Sequence, residues 1–404
     1  MEKYDKSAMK IVFNRREVRA DSRYRELFTV DEAEKARSFH KTVPGYETTP
    51  LAELKDMARF SGVEAIYIKD ESPRFGLNAF KGLGGSYCVA KCLTEIYGSD
   101  KENLTYDRLL SVGKDHEKLT FVTATDGNHG RGIAWITGLM GHSGVVYMPS
   151  GSSKERLENI RKLGAEASIT DMNYDDTVRF AAGQAEKNGW IFVQDTAWEG
   201  YEKTPAHIMQ GYMTMGAEIA AQIPEKKAPT HIFLQAGVGA MAGAMTGFFR
   251  DLYKDRKIKI IIVEPDKADC IFRTAKAADG RLRRVRGSLD TIMAGLACGE
   301  PCSIGWDILS RGANAFISMS DHIAARGMRI LACPIGSDSR VISGESGAAG
   351  FGALMWILQS PQMKDFKEKL GLGKDSRILC ISTEGATDVN DYRRIVWDGL
   401  YPSF

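Results

Sequence analysis

The sequence carries no surplus of either charge: 54 lysines and arginines against 52 aspartates and glutamates leave a formal net charge of +2. Bulk attraction to nucleic acid or to a membrane surface is therefore not expected. Long apolar runs are also missing. No segment approaches the roughly 20 residues that span a bilayer. The N-terminal stretch MEKYDKSAMKIVFNRREVRADSRYREL interleaves charge with isolated apolar positions and lacks a signal-peptide core. There is no internal repeat, no low-complexity tract and no Pro/Ser-rich linker. Cysteines number only seven (Cys88, Cys92, Cys270, Cys298, Cys302, Cys333 and Cys380), an odd and scattered set. That pattern suits a reducing cytoplasm better than a disulfide scaffold. Cys88 and Cys92 lie one helical turn apart without a second pair or nearby histidines, and Pro301 argues against a helix through Cys298 and Cys302. No metal site is expected, and a small molecule is left as the default partner.

What is present is a globular composition, 43% hydrophobic and 26% charged over 404 residues, enough to bury two sizeable cores. From about residue 60, apolar runs rich in Val, Ile and Phe alternate with helix-period segments. Strands are predicted over 65–69, 119–124, 144–148, 165–170, 190–194, 231–236, 257–263 and 377–382. Near-continuous apolarity along them implies parallel sheets covered on both faces, a doubly wound α/β fold. A compact βαβαβα series over 85–200 reads as a smaller domain inserted between two parts, 1–84 and 201–404, of a larger one.

Four loops could carry chemistry. The first strand leads into KDESPRFGLNAFKGLGGSY, which places Lys81 beside Phe80 at the start of a helix. The positive end of the helix dipole disfavours a lysine there, and would lower its pKa and favour a nucleophilic amine. The second loop, TATDGNHGRG over 123–132, follows a strand and precedes a helix over 133–140. Its amides, with Asn128 and His129, could hold a polar ligand, while Asp126 is either a helix cap or a catalytic carboxylate. Asp195 stands in VQDTAWEG, where Thr196 and Glu199 suggest a capping box that leaves Asp195 free for another role.

The third loop, GVGAMAG over 237–243, suits phosphate binding by backbone amides. It equally matches a dinucleotide fingerprint, with Glu264 at the end of the next strand placed to hold a ribose. On this segment alone an NAD-dependent oxidoreductase is the better reading. The fourth, STEGATD over 382–388, offers Ser382 or Thr383 to a ring nitrogen, or as a cap.

In this order, the lysine after Asn-Ala-Phe, the Gly-Asn-His loop, the Gly-rich loop and the Ser-Thr-Glu-Gly turn resemble fold-type II pyridoxal phosphate enzymes. These are α/β proteins of the tryptophan synthase β-like kind. The blocks MNYDDTVR, VQDTAWEGY, LQAGVGAMAG, VEPDKADC, IMAGLACGEP and SGESGA extend the likeness to the diaminopropionate ammonia-lyase family. The resemblance implies pyridoxal 5'-phosphate held by Lys81 beside Phe80, with Asn128 on its phenolic oxygen. Gly237, Val238, Gly239 and Ala240 would cradle the phosphate, and Thr383 would face the pyridine nitrogen. It further implies elimination of ammonia from D- and L-2,3-diaminopropionate by a homodimer, with Asp126 and Asp195 binding the extra ammonium or acting as a base. The substrate carboxylate is expected near Ser86 or the 125–129 amides. Cys270 and Cys298 fall in two of these blocks and would approach each other near the site entrance, where a pair of free thiols is the safer reading. A threonine or serine ammonia-lyase is the neighbouring alternative, against which the extra carboxylate Asp126 argues.

Overall fold

The computed structural model describes residues 8–18, 21–99, 103–125 and 127–402. Eleven strands occur in chain order among them: β1 Met9–Phe13, β2 Leu51–Glu53, β3 Ala65–Asp70, β4 Thr120–Ala124, β5 Ser143–Met148, β6 Glu166–Ile169, β7 Ile191–Phe192, β8 His231–Gln235, β9 Lys259–Pro265, β10 Ala315–Met319 and β11 Arg377–Ser382. They form a seven-stranded sheet in the order β1-β10-β9-β8-β11-β3-β2 and a four-stranded sheet in the order β6-β5-β4-β7. All pairings are parallel except those of the edge strands β1 and β2, which run antiparallel to β10 and β3. The doubly wound α/β class holds. β1, β2 and β10 are additions to the predicted strands.

Side chains along the central strands alternate between two cores, as a sheet covered on both faces requires. Ile232, Leu234, Ile260 and Ile262 pack on one side, while Phe233, Ile261 and Val263 pack on the other. β6 departs from the expectation of full burial, because Glu166, Ser168 and Ile169 are exposed and Ala167 is half-buried. Among the described residues only β5 pairs with it, which places β6 at the edge of its sheet.

The first core is closed by a tight crossing of the helices Lys81–Ile96 and Lys203–Gln222. A Cβ on Gly84 would sit 2.4 Å from the Tyr212 ring, and one on Gly211 would sit 2.5 Å from the Leu83 carbonyl oxygen. The helices touch backbone to backbone there, and this contact fixes the end of the helix that carries Lys81. No described helix is long and apolar enough to cross a membrane.

Candidate active site

β3, β4, β8 and β11 all point their carboxyl ends toward one cavity, where open α/β sheets generally bind ligands. β8 lies between β9 and β11, so the chain leaves it in one direction while its other neighbour arrives from a distant part of the sequence. Counting the part that is open to solvent, the space between the lining residues is about 670 Å³.

Lys81 opens its helix directly after Phe80, as the sequence suggests. The segment before it is pinned by the turn that follows β11. Phe80 N–H donates to the Thr383 carbonyl at 3.0 Å, Gly385 N–H donates to the Asn78 carbonyl at 3.0 Å, and Asn78 Nδ2 donates to the Ala386 carbonyl at 2.8 Å. Asn78 itself adopts φ 59°, a left-handed conformation that asparagine tolerates. Lys81 Nζ reaches into the cavity and pairs with Asp195 Oδ2. Burial pushes the Asp195 carboxyl up, but the Lys81 ammonium and His129 outweigh it and hold it down at about 2. Gln194 Nε2 donates to the Tyr174 hydroxyl at 3.0 Å and to Asp195 Oδ1 at 3.3 Å, which fixes the carboxylate from behind. Tyr212, fully buried, closes the other side of Lys81, and burial pushes its phenol up.

Gly237, Val238, Gly239 and Ala240 line the same cavity between β8 and the helix Ala240–Leu252. Gly239 is the N-cap at φ 91°, a conformation that glycine takes without strain. A Cβ on Gly237 would meet the Leu296 Cα at 3.1 Å and Cys298 Sγ at 3.2 Å. The loop thus approaches closely and offers helix N-terminal amides, a donor set suited to a phosphate. The pyridoxal phosphate implied by the resemblance fits these residues: an amine, a glycine cradle and a hydroxyl at the far end face one space.

That hydroxyl belongs to Thr383. Its Oγ1 accepts from Gln235 Nε2 at 3.0 Å, which leaves its own proton to be donated into the cavity. Ser382, the other candidate, is bonded to the Ser343 hydroxyl at 2.8 Å and does not line the cavity. Asn128 begins the helix Asn128–Leu139, longer than the predicted 133–140, and donates its side-chain amide to Glu384 Oε2. Gln235, Tyr174, Ser346 and Glu384 all line the cavity and were not singled out by sequence. Their only signal was membership of strand ends and of the blocks MNYDD, SGESGA and STEG.

Several expectations fail. Glu264 is completely buried and accepts Ile271 N–H at 2.8 Å and Phe272 N–H at 2.6 Å. It caps the helix Cys270–Ala277 and has no face open to a ribose, which removes the dinucleotide reading. Ser86 is buried beneath its helix, within 3.0 Å of His40 Nε2 and donating to the Leu83 carbonyl, so it cannot meet a substrate carboxylate. Thr196 and Glu199 form no capping box. Trp198 and Tyr201 close a turn with stacked rings 4.6 Å apart, and the next helix begins at Lys203. The reading of Cys270 and Cys298 as thiols outside any disulfide holds: both are buried, Cys298 lines the cavity, and Cys270 Sγ donates to the Gly237 carbonyl at 3.7 Å. Asp126 lies outside the described residues.

Comparison with known proteins agrees with this geometry. The family described as "Pyridoxal-phosphate dependent enzyme" matches residues 43–384. The chain is 53% identical over 377 residues to the diaminopropionate ammonia-lyase of Escherichia coli strain K12, covering 93% of this chain and 94% of that protein. It is 49% identical over 368 residues to the diaminopropionate ammonia-lyase of Salmonella typhimurium, covering 90% and 91%. A crystal structure of the Escherichia coli enzyme in complex with an aminoacrylate-PLP azomethine reaction intermediate superposes with TM-score 0.90 at 49% identity, over 98% of each chain.

Proposed function

The chain belongs to the pyridoxal-phosphate dependent enzymes and, among them, to the diaminopropionate ammonia-lyase family; on that premise we propose that it is a carbon–nitrogen lyase converting D- and L-2,3-diaminopropionate to pyruvate and two ammonia. The observation that carries the reading is the Lys81–Asp195 pair set opposite the 237–240 cradle and the Thr383 hydroxyl within one cavity. Pyridoxal 5'-phosphate supplies the electron sink that makes loss of the Cα proton and of a β-amino group feasible.

The protein's share is binding, orientation and proton handling. Lys81, beside Phe80, would hold the cofactor covalently. The amides of Gly237, Val238, Gly239 and Ala240 would take its phosphate, Asn128 its phenolic oxygen and Thr383 its pyridine nitrogen. A threonine hydroxyl cannot keep that nitrogen protonated as an aspartate would, which favours elimination over transamination. Asp195 stays ionised and offers its charge to the substrate's additional ammonium, while Gln194 and Tyr174 limit its motion. Lys81 and Asp126 act as bases, one for each enantiomer. The Thr125–His129 segment remains the candidate for the substrate carboxylate once Ser86 is excluded. The smaller domain spans 85–200, the larger comprises 1–84 and 201–404, and the working form is a cytoplasmic homodimer.

The test is the initial rate of 2-oxo acid release from D- and L-2,3-diaminopropionate, run separately and beside L-threonine. Fast release from both diaminopropionate enantiomers supports the reading. Turnover of threonine alone would replace the substrate assignment, and borohydride trapping of cofactor on a lysine other than Lys81 would overturn the site. Equal loss of both enantiomers' turnover in Asp126→Asn would remove the assignment of one base to each enantiomer.

A further inference from the structure

Glu384 lines the cavity, and the proposed reaction does not use its carboxylate. It is buried, yet its backbone and side chain tie together three segments that meet at the site. Its backbone bridges Ala79, two residues before Lys81, and its carbonyl accepts Gly344 N–H at 2.9 Å. Its side chain accepts Ser346 N–H on Oε1 at 3.0 Å and the Asn128 amide on Oε2. A second buried acid, Glu345, stands nearby. Burial, with the Glu384 carboxylate adding to it, pushes Glu345 up to about 7.

An asparagine amide has two ends of nearly equal shape and opposite chemistry, and its hydrogen-bond partners decide which end points where. Ser346 N–H already commits one oxygen of Glu384 as an acceptor. A carboxylate presents an acceptor with its other oxygen too, so the end of Asn128 that meets it must be the nitrogen. That nitrogen carries a second N–H for a further acceptor. We propose that Glu384 is a positioning residue that fixes the flip of the Asn128 amide, so that a donor and not a carbonyl oxygen is held ready for an oxygen of the bound cofactor. This rests on the reading that Asn128 contacts the cofactor's phenolic oxygen.

Glu384→Gln isolates the effect. The backbone bonds at this position are untouched, and the amide oxygen of the new side chain can still accept Ser346 N–H. Its nitrogen then confronts Asn128 donor against donor, so Asn128 must turn its carbonyl toward that nitrogen and lose its directed N–H. The experiment uses the full-length, cofactor-loaded enzyme and the visible absorption band of the bound cofactor, titrated with pH, for the unsubstituted protein, Glu384→Gln, Asn128→Ala and the double variant. The band midpoint is expected to move by about one pH unit in Glu384→Gln, a tenfold change in proton affinity. In the Asn128→Ala background, Glu384→Gln is expected to add nothing, because its action passes through Asn128. An unmoved midpoint in Glu384→Gln, or a shift that adds fully to that of Asn128→Ala, overturns the proposal. Should Glu384→Gln fail to fold, Glu384→Asp carries the test: it keeps the charge but withdraws it by about 1.5 Å, and the same non-additivity is expected. Absence of any visible band in the unsubstituted loaded protein would instead defeat the cofactor assignment of Asn128, and this inference with it.

Discussion

Glu218→Gln perturbs a buried charge network immediately behind the loop that delivers Lys81. Lys69, Glu71, Arg74 and Glu218 have side chains with no exposure. The Glu218 carboxylate accepts Lys69 Nζ at 2.6 Å, Arg74 Nη1 and Nη2 at 2.8 Å each, and the Tyr46 hydroxyl at 2.8 Å. Glu71 receives Arg74 Nε at 2.8 Å and Nη2 at 2.9 Å. Two cations therefore face two carboxylates and the charges cancel. Burial pushes the Glu218 carboxyl up, but its bonds to Arg74 and Lys69 prevail and hold it at about 2. Glutamine removes one negative charge and sets an N–H₂ among donors, leaving a buried cation uncompensated. Breaking such a pair costs about 3–5 kcal/mol, a large part of the roughly 5–15 kcal/mol by which domains are stable. Urea midpoints followed by circular dichroism, compared at equal slope, measure it. The double variant Lys69→Met/Glu218→Leu removes one charge of each sign and leaves the Arg74–Glu71 pair intact, so it should lie closer to the unsubstituted protein than Glu218→Gln does. A cost below about 1 kcal/mol for Glu218→Gln, outside the buried-pair range, or a double variant less stable than the single, would refute the argument.

A second prediction concerns pH. Burial, with Arg74 nearby, pushes His40 down to about 3, so it is neutral in the folded protein, whereas an unfolded histidine takes a proton below about 6.5. Between pH 6.5 and 3 the unfolded state binds the extra proton, so this contribution to stability is lost as pH falls, by about 1.4 kcal/mol per unit; acid unfolding of His40→Gln should show a shallower limb. Gly211→Ala should cost about 1–3 kcal/mol by overpacking, read as a lower urea midpoint, because its Cβ would strike backbone that cannot move away. Asp195→Asn should retain bound cofactor by absorbance but lower turnover of diaminopropionate by about 10²–10³-fold, the range for losing a preorganised electrostatic partner; an unchanged rate would remove Asp195 from binding the additional ammonium.

The alternation of β-branched runs with helical segments was sufficient to reveal the α/β class, since burial on both faces of a parallel sheet leaves a continuous apolar signature. Lys81, Asn128, the 237–240 loop and Thr383, which line one cavity, stood out in the sequence for a related reason: each lies beyond the carboxyl end of a strand, the side on which such sheets hold ligands. β10 was missed, although its five residues are buried; β1, MKIVF, is an apolar stretch set between charged neighbours, and β2 is only three residues long.

Other decisions depended on distance between remote parts of the chain. Glu264 reads in sequence as a ribose ligand, and only the helix beginning at Cys270 shows its carboxylate already consumed by two amides. Ser382 and Thr383 are adjacent hydroxyls, and the alternation of the strand sends one to Ser343 and the other toward the cavity. Glu384 meets Asn128 across 256 residues. Local sequence determines which backbone each residue adopts and which face of a strand it occupies; which charges and amides end up as partners is set by packing across the sheets, and no local pattern encodes it.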